Sequence, residues 1–223
     1  MSKIKIMSKM VIIFFGPPGS GKGTQAEMLA KALKIPAISP GELFRAEIAG
    51  KSALGKKVAT TLNKGKLVPD SIVEKIINKR LQKKDAKQGF ILDGYPRNRK
   101  QLGCLMKKLE NLAFKNNIFA VLIKVGDREV RRRLGGRRVC VCGAAYHIIF
   151  KPSKRKNVCD LCGGKLTTRT DDKPAVIARR LATYHKEIKP ILDYWKKARR
   201  LIEINGEQEI EKVGKDINSS IAR

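Results

Sequence analysis

Hydrophobic residues along the chain fall into two patterns, short continuous runs and longer stretches with helical spacing. The continuous runs lie at 11–15, 35–38, 90–92, 118–123 and 201–204, and runs of this kind are typical of strands buried on both faces. The helically spaced residues lie at 26–33, 72–81, 102–109, 177–184 and 210–221. Because strands and helices alternate, the pattern predicts an α/β fold, a five-stranded parallel sheet with helices on both faces.

Two stretches interrupt this alternation. Residues 39–68 carry two short helical patterns without a strand, and residues 135–171 contain glycines and cysteines with few helical signals. A chain of 223 residues is better explained by one core with insertions than by two independent domains. We therefore expect a core formed by 1–38, 69–134 and 172–223, with both stretches inserted into it.

A glycine-rich loop, GPPGSGKGT at 16–24, separates the first predicted strand from the first predicted helix. This order of strand, loop and helix is the context of a phosphate-binding loop. Glycines let several backbone N–H groups point at one anion, and the helix N-terminus adds positive potential. Lys22 adds a full charge. Gly23 follows the lysine where the generic motif has Ser or Thr, so the hydroxyl that usually binds Mg²⁺ comes one residue later, at Thr24.

A carboxylate follows the run at 90–92, at Asp93, and Gly94 comes next. The carboxyl ends of parallel strands meet at one edge of the sheet, where such folds bind ligands. A carboxylate at a strand end beside a phosphate loop is well placed to hold Mg²⁺, directly or through water. The sequence therefore predicts that Asp93 shares a site with the loop.

Charge is the unusual feature of the composition. The chain has 49 Lys and Arg against 20 Asp and Glu, a formal net charge of +29. Such a balance suits nucleic acid, anionic surfaces or anionic small substrates. The lysines are scattered as on solvated helix faces, whereas six arginines lie within residues 128–138. Because guanidinium forks fit phosphate oxygens, this cluster points to phosphate binding.

Four of the five cysteines form two close pairs, Cys140-x-Cys142 and Cys159-x-x-Cys162. In an intracellular protein such pairs favour a structural metal site, because four thiolates complete the tetrahedral shell of Zn²⁺. Two disulfides or four unligated thiols remain alternatives. The first pair is one residue shorter than the common C-x-x-C, and His147 is a further possible ligand. Cys104 is more typical of a small buried apolar residue.

No apolar run approaches the roughly 20 residues that a membrane span requires. The apolar run after the basic N-terminus has five residues, which is too short for a signal peptide. We therefore expect a cytoplasmic protein without a membrane or a specific nucleic-acid partner, and a monomer.

Several separate motifs together resemble the adenylate kinase family, in its long form with a zinc-binding lid. They are GPPGSGKGTQ at 16–25, ISPGELFR at 38–45, GKLVPD at 65–70, GFILDGYPRN at 89–98, GRRV at 136–139, the cysteine pairs and TRTDD at 168–172. The match runs from Met10 to the C-terminus. Gly23 after the lysine is normal for this family.

The resemblance implies reversible, Mg²⁺-dependent phosphoryl transfer from ATP to AMP, giving two ADP. The implied ATP-binding residues are Gly19, Ser20, Gly21, Lys22, Gly23, Thr24, Arg133 and Arg137. The implied AMP-binding residues are Pro40, Arg45, Lys66, Val68, Gly94, Arg97, Gln101, Arg169 and Arg180. The implied catalytic residues are Lys22, Asp93, Arg97, Arg133, Arg137, Arg169 and Arg180.

The resemblance also assigns roles to the two insertions and to the metals. Residues 39–68 would bind the monophosphate, and residues 135–171 would form the lid, which Asp171 and Asp172 help to close. Asp93 would organise Mg²⁺ through water. Structural Zn²⁺ would be held by Cys140, Cys142, Cys159 and Cys162.

One departure from the family concerns base selectivity. Pro40 stands where the family usually has Thr, and proline offers neither a hydroxyl nor an N–H. A kinase of the same fold acting on another nucleoside monophosphate therefore stays an alternative. A zinc-ribbon nucleic-acid-binding protein that uses nucleotide as a switch is a second one, although aromatic residues make up only 5% of the chain, few for base stacking.

Overall fold

The computed structural model describes residues 9–114 and 117–222, so the predicted core segment 1–38 begins outside the described residues. The strands are β1 Met10–Phe15, β2 Ala37–Ile38, β3 Gly89–Asp93, β4 Ile118–Lys124, β5 Arg137–Val139, β6 Ala145–His147 and β7 Leu201–Asn205. The α-helices are α1 Lys22–Leu33, α2 Pro40–Ala49, α3 Ala53–Asn63, α4 Asp70–Leu81, α5 Arg99–Asn111, α6 Asp127–Gly136, α7 Pro174–Lys197 and α8 Ile210–Ile221.

Five parallel strands form the main sheet in the order β2-β3-β1-β4-β7. The central strand β1 pairs on both sides, with Val11 opposite Phe90 on one side and Ile118 on the other. All six residues of β1 are buried, which explains why the strand is apolar throughout rather than alternating. The predicted fold class is confirmed.

Helices cover both faces of this sheet. Alternate residues of β1 point to opposite faces, so Val11 and Ile13 belong to one hydrophobic cluster and Ile12 and Phe14 to another. The first cluster includes residues of α4, α5 and α7, and the second includes residues of α1 and α8. The sheet is therefore clamped between two apolar layers, and its carboxyl edge is left for the connecting loops.

Helix α6 is not predicted by the hydrophobic pattern. Its side chains include only two fully buried apolar ones, Val130 and Leu134, one turn apart. The other positions are mostly arginine or acidic, and arginine is a good helix former in itself. The helix packs on α7 through a small cluster with Ile177 and Leu181, a contact that local spacing does not reveal.

Two parts of the chain stand beside the main sheet. In residues 39–68, called the helical segment below, α2 packs against α3. In residues 135–171, called the cysteine segment, β5 and β6 form an antiparallel pair. The cysteine segment has its own small buried cluster of Cys140, Tyr146, Cys159 and Leu166.

Among the helices of the described residues, none combines the length and apolar character needed to cross a membrane.

Candidate active site

A cavity of about 700 Å³ lies at the carboxyl edge of the main sheet, within the usual size range of ligand sites. The loop at 16–24 and Asp93 form its floor, and the helical and cysteine segments contribute the walls. Its basic lining residues are Lys22, Arg45, Lys66, Arg97, Arg133, Arg137, Lys151, Arg169 and Arg180. The fold thus brings cations from distant parts of the chain to one cavity.

The glycine-rich loop leaves β1 under a tight steric constraint. Gly16 has φ +144°, and a Cβ there would lie 2.5 Å from the carbonyl oxygen of Ile123, so only glycine fits. The first N–H groups of α1 have no acceptor within the helix, and they give this end a positive potential. The loop therefore offers backbone donors to an anion in the cavity.

Lys22 folds back over this loop. Its ammonium donates to the carbonyl oxygens of Gly16 at 2.8 Å and Pro17 at 2.7 Å, and to Ser20 Oγ at 3.2 Å. Burial lowers the pKa of Lys22 to about 8, and the nearby Asp93 carboxylate only partly offsets that effect. The ammonium is consequently held in place but lacks a strong counter-charge.

Asp93 directly faces the start of α1. A Cβ at Gly23 would lie 3.4 Å from Asp93 Oδ2, so the carboxylate comes within van der Waals distance of the residue after the lysine. Thr24 lines the same cavity. Carboxylate and hydroxyl oxygens are the hard donors that Mg²⁺ prefers, so this donor set fits the predicted ion.

Two arginines are fixed by acidic residues just before α7. Arg137 forms a two-pronged pair with Asp172, with Nε to Oδ2 at 2.7 Å and Nη2 to Oδ1 at 2.5 Å. Arg180 Nη1 lies 3.2 Å from the same Asp172 Oδ1 and 3.0 Å from Asp171 Oδ2. The Asp172 side chain is completely buried. It therefore holds both guanidinium groups at the cavity wall.

Glu42 holds two further arginines, although the sequence assigned it no role. Its Oε1 lies 2.5 Å from Arg45 Nη2 and 3.0 Å from Arg169 Nη2. Burial opposes ionisation of Glu42, but the bonds and charge of these arginines prevail and lower its pKa. Helical spacing could have suggested the pair with Arg45, three residues on. No local signal connects Glu42 to Arg169.

The charged forms of Arg169 and Arg97 are destabilised by burial and by neighbouring cations, as their lowered pKa values show. Burial lowers the pKa of Arg169 to about 10, and Arg137 and Arg45 repel its charge further. Its Nε is buried without a hydrogen-bond partner in the described part of the chain. Arg97 lines the same cavity, is exposed to solvent and donates from Nε to the Gly94 carbonyl at 2.7 Å. Burial, followed by the charge of Arg180, lowers the pKa of Arg97.

Arg133 also lines the cavity. Its Nε donates to Glu129 Oε1 at 2.7 Å, and its Nη2 donates to the Gly206 carbonyl at 2.9 Å. The guanidinium also packs over the Phe150 ring, 5.5 Å from the centroid. Glu129 and Phe150 are supporting residues that sequence reasoning missed. The Glu129 contact has the i, i+4 spacing that would have indicated it.

A second, much smaller cavity of about 20 Å³ lies between the helical segment and α5. Its lining residues include Pro40, Phe44, Val68, Val73 and Gln101. Pro40 is the first residue of α2, a position where the missing N–H removes no intrahelical hydrogen bond. The structure thus explains how proline is tolerated there.

The four paired cysteines come together in the cysteine segment. Their Sγ atoms all lie within 4.8 Å of one another, with 3.4 Å between Cys140 and Cys162 and 3.6 Å between Cys142 and Cys159. Tetrahedral Zn²⁺ with bonds near 2.3 Å places sulfur atoms about 3.8 Å apart. The donor set therefore fits zinc, even with the short first pair, and none of these thiols forms a disulfide.

His147 is not part of this sulfur cluster. Its Nδ1 accepts hydrogen bonds from the backbone N–H groups of Ile149 at 3.0 Å and Phe150 at 3.1 Å. The ring therefore organises the turn after β6, and the four sulfur atoms account for the cluster by themselves.

Comparison with known proteins identifies the family. The adenylate kinase family model matches residues 14–200. An adenylate kinase of Methanocella arvoryzae is 43% identical over 215 residues, which covers 96% of this chain and 99% of the relative. Adenylate kinases of Methanothrix thermoacetophila and Caldicellulosiruptor bescii are 45% and 44% identical, covering 96% and 93% of this chain and 99% and 97% of each relative.

The chain belongs to the adenylate kinase family. The resemblance that the motifs carried is thereby confirmed along nearly the whole chain. In this member of the adenylate kinase family, the residues that sequence reasoning missed include two carboxylates that hold arginines. Glu42 and Glu129 each have an arginine partner within one helical turn, whereas the contact of Glu42 with Arg169 is remote in sequence.

The buried acidic pair at the cavity wall leads to a stability prediction. Asp172→Asn keeps the shape of the side chain but leaves Arg137 and Arg180 without their shared carboxylate. We expect the free energy of unfolding to fall by about 3 kcal/mol, as when one partner of a buried ion pair is removed. Chemical denaturation measures this change.

Asp85 provides the matched control, because it makes the same two-pronged contact with Arg80, at 2.8 and 2.7 Å. Its side chain is 52% exposed. Asp85→Asn should therefore cost less than about 1 kcal/mol. Equal losses in the two variants would contradict the role given to Asp172.

Proposed function

We propose that this protein transfers a phosphoryl group reversibly between ATP and AMP, giving two ADP. The observation that carries the proposal is the convergence of Lys22 and several guanidinium groups on one cavity beside a phosphate-binding loop. Phosphoryl transfer needs positioning and charge stabilisation rather than a nucleophilic side chain. The cavity wall supplies both of these.

The donor nucleotide would lie over the glycine-rich loop. Backbone N–H groups between Gly19 and Thr24, together with Lys22, would hold its phosphates. Arg133 and Arg137 would contact the same nucleotide from the other wall. Asp93 would hold Mg²⁺ through water, and the ion would neutralise charge on the transferring phosphates.

The acceptor phosphate would bind between the helical segment and α5. Arg45 and Arg97 would bind it, with Arg169 and Arg180 between the two nucleotides. Arg45 and Arg169 now share the Glu42 carboxylate, so the incoming phosphate would replace one anion by another. Glu42 thus keeps both guanidinium groups oriented before the substrate arrives.

The base of the acceptor would enter the small cavity beside Gln101, between Pro40, Lys66, Val68 and Gly94. A volume of about 20 Å³ accommodates about one water molecule, much less than a purine. The helical segment must therefore move away from α5 to admit the base. The cysteine segment would close from the other side as a lid, and exclusion of water would direct the phosphoryl group to the monophosphate.

A kinase of the same fold acting on another monophosphate is the second candidate, and Pro40 is the observation that favours it. Steady-state rates with AMP, GMP, CMP and UMP, each with ATP and Mg²⁺, distinguish the two. We expect kcat/KM to be highest for AMP, because Gln101 presents an amide suited to an adenine edge. A rate on AMP no better than on the other three would overturn the assignment.

Lys22 leads to a prediction about pH. Its pKa is about 8 in the free site, and ATP phosphates would raise it by favouring the ammonium form. The complex then binds more protons than the free protein above about pH 8, so ATP affinity should fall as the pH rises. Calorimetry in two buffers of different ionisation enthalpy should show uptake of a fraction of a proton near pH 8.5.

Two variants test whether Lys22 is the source of this proton. Lys22→Arg retains a cation that does not titrate in this range, so the extra uptake should vanish. Lys31→Met, at an exposed position of the same helix, should keep it. Identical uptake in wild type and Lys22→Arg would assign the proton to another group.

The cysteine cluster leads to a prediction about metal content. Protein purified without chelator should contain about one zinc per chain, bound by the four thiolates. Removing it should lower the melting temperature through the cysteine segment, because the ion cross-links its two halves. Elemental analysis and thermal unfolding measure these two effects.

Cys142→Ser should abolish stoichiometric zinc and reproduce the lower melting temperature. Cys104→Ser is the matched control, since this cysteine lies on α5 and outside the cluster, and it should leave both quantities unchanged. Protein with neither zinc nor iron would refute the metal site.

A further inference from the structure

The Gln101 side chain is held at both ends of its amide group. It is 1% exposed and lies on α5 beside the small cavity. Its Oε1 accepts from the Arg97 backbone N–H at 2.8 Å, and its Nε2 donates to Asp70 Oδ1 at 2.7 Å. An amide can adopt two orientations of the same shape that differ only in their hydrogen bonds. These two contacts select one of them.

The neighbouring Asn98 fixes the direction of this network. Its Nδ2 donates to the same Asp70 Oδ1 at 2.9 Å, and its Oδ1 caps α5 by accepting from the Gln101 backbone N–H at 2.8 Å. Asp70 thus accepts from two amides and, as a carboxylate, has no hydrogen to offer. A reversed Gln101 amide would set oxygen against the Asp70 carboxylate and N–H against the Arg97 N–H.

We propose that Asp70 determines base specificity by locking the Gln101 amide in the orientation that reads adenine and rejects 6-oxopurines. This inference rests on the proposed function, in which Gln101 faces the acceptor base. The amide retains one lone pair on Oε1 and one hydrogen on Nε2. Adenine presents an amino donor next to the N1 acceptor, which matches that order.

Hypoxanthine and guanine present the reverse order, an oxygen acceptor at C6 and a donor at N1. Binding either of them would require the reversed amide, whose two internal hydrogen bonds are both broken. Buried polar groups left unpaired reject a ligand strongly. Asp70 therefore acts as a positioning residue, since it contacts Gln101 rather than the base.

The test compares AMP with IMP as acceptors, because IMP reverses the hydrogen-bonding order without adding the amino group of guanine. In Asp70→Ala, the Gln101 amide loses the partner that most opposes reversal. The ratio of kcat/KM for AMP to that for IMP should fall by about tenfold or more, the range expected for one hydrogen bond to a charged group. Inhibition constants for IMP supply the ratio where turnover is too slow.

Two further variants keep the result interpretable. Asp70→Ser keeps a small polar residue in the first turn of α4, so its fold should be kept while the shorter side chain releases the lock, and its ratio should fall like that of Asp70→Ala. Asp193→Ala removes an exposed carboxylate of α7 and should leave the ratio unchanged.

The outcomes separate this inference from the proposed function. Suppose that wild type phosphorylates AMP and that both Asp70 variants keep its AMP-to-IMP ratio. This result would overturn the role given to Asp70 but not the proposed function, even where the melting temperature of the variants falls. Wild type that fails to phosphorylate AMP would overturn the proposed function and this inference with it. A lower ratio in both variants supports the lock.

Discussion

The cost of placing several cations together in one partly buried cleft is the constraint on which the rest of the site depends. Lys22, Arg97, Arg169 and Arg180 all have pKa values lowered, chiefly by burial. Acidic side chains placed between the arginines offset this cost. Asp172 holds Arg137 and Arg180, and Glu42 holds Arg45 and Arg169. The cleft is therefore arranged for anions before any nucleotide binds, which is how electrostatic preorganisation lowers a barrier.

The buried parallel sheet supplies stability that offsets the cost of the charged cleft. Its strands lie between two apolar layers, and that burial stabilises the fold without help from the cleft. The parallel strands end at one edge of the sheet. The loop after β1 and Asp93 at the end of β3 therefore come together, although they are remote in sequence. The cations can then be held in an unfavourable environment because the stability comes from elsewhere.

Local chemistry decided what the sequence could predict. Strand runs, helical spacing and the four cysteines each carry their own signal, so the fold class and the sulfur cluster were predictable. Helix α6 was not, because it buries few apolar side chains and is fixed by packing on α7. The long-range contacts of the carboxylates were missed for a similar reason. The resemblance gave Asp172 a role in closing the lid, but it did not reveal the pairing with Arg137, 35 residues away, and Asp70, 31 residues from Gln101, was given no role. No periodicity connects two polar residues over such distances.

In the function we propose, phosphate recognition and base recognition rely on different interactions. Guanidinium groups bind the phosphates of any nucleotide equally well, so they cannot select a base. Selection requires neutral groups whose donors and acceptors are fixed in order. Pro40, at the start of α2, contributes only an apolar wall and cannot supply such an order. The oriented amide of Gln101 can, because Asp70 and the Arg97 backbone hold it from both ends. Loss of a hydroxyl at position 40 is thus compatible with a selective site, provided that the amide cannot turn over.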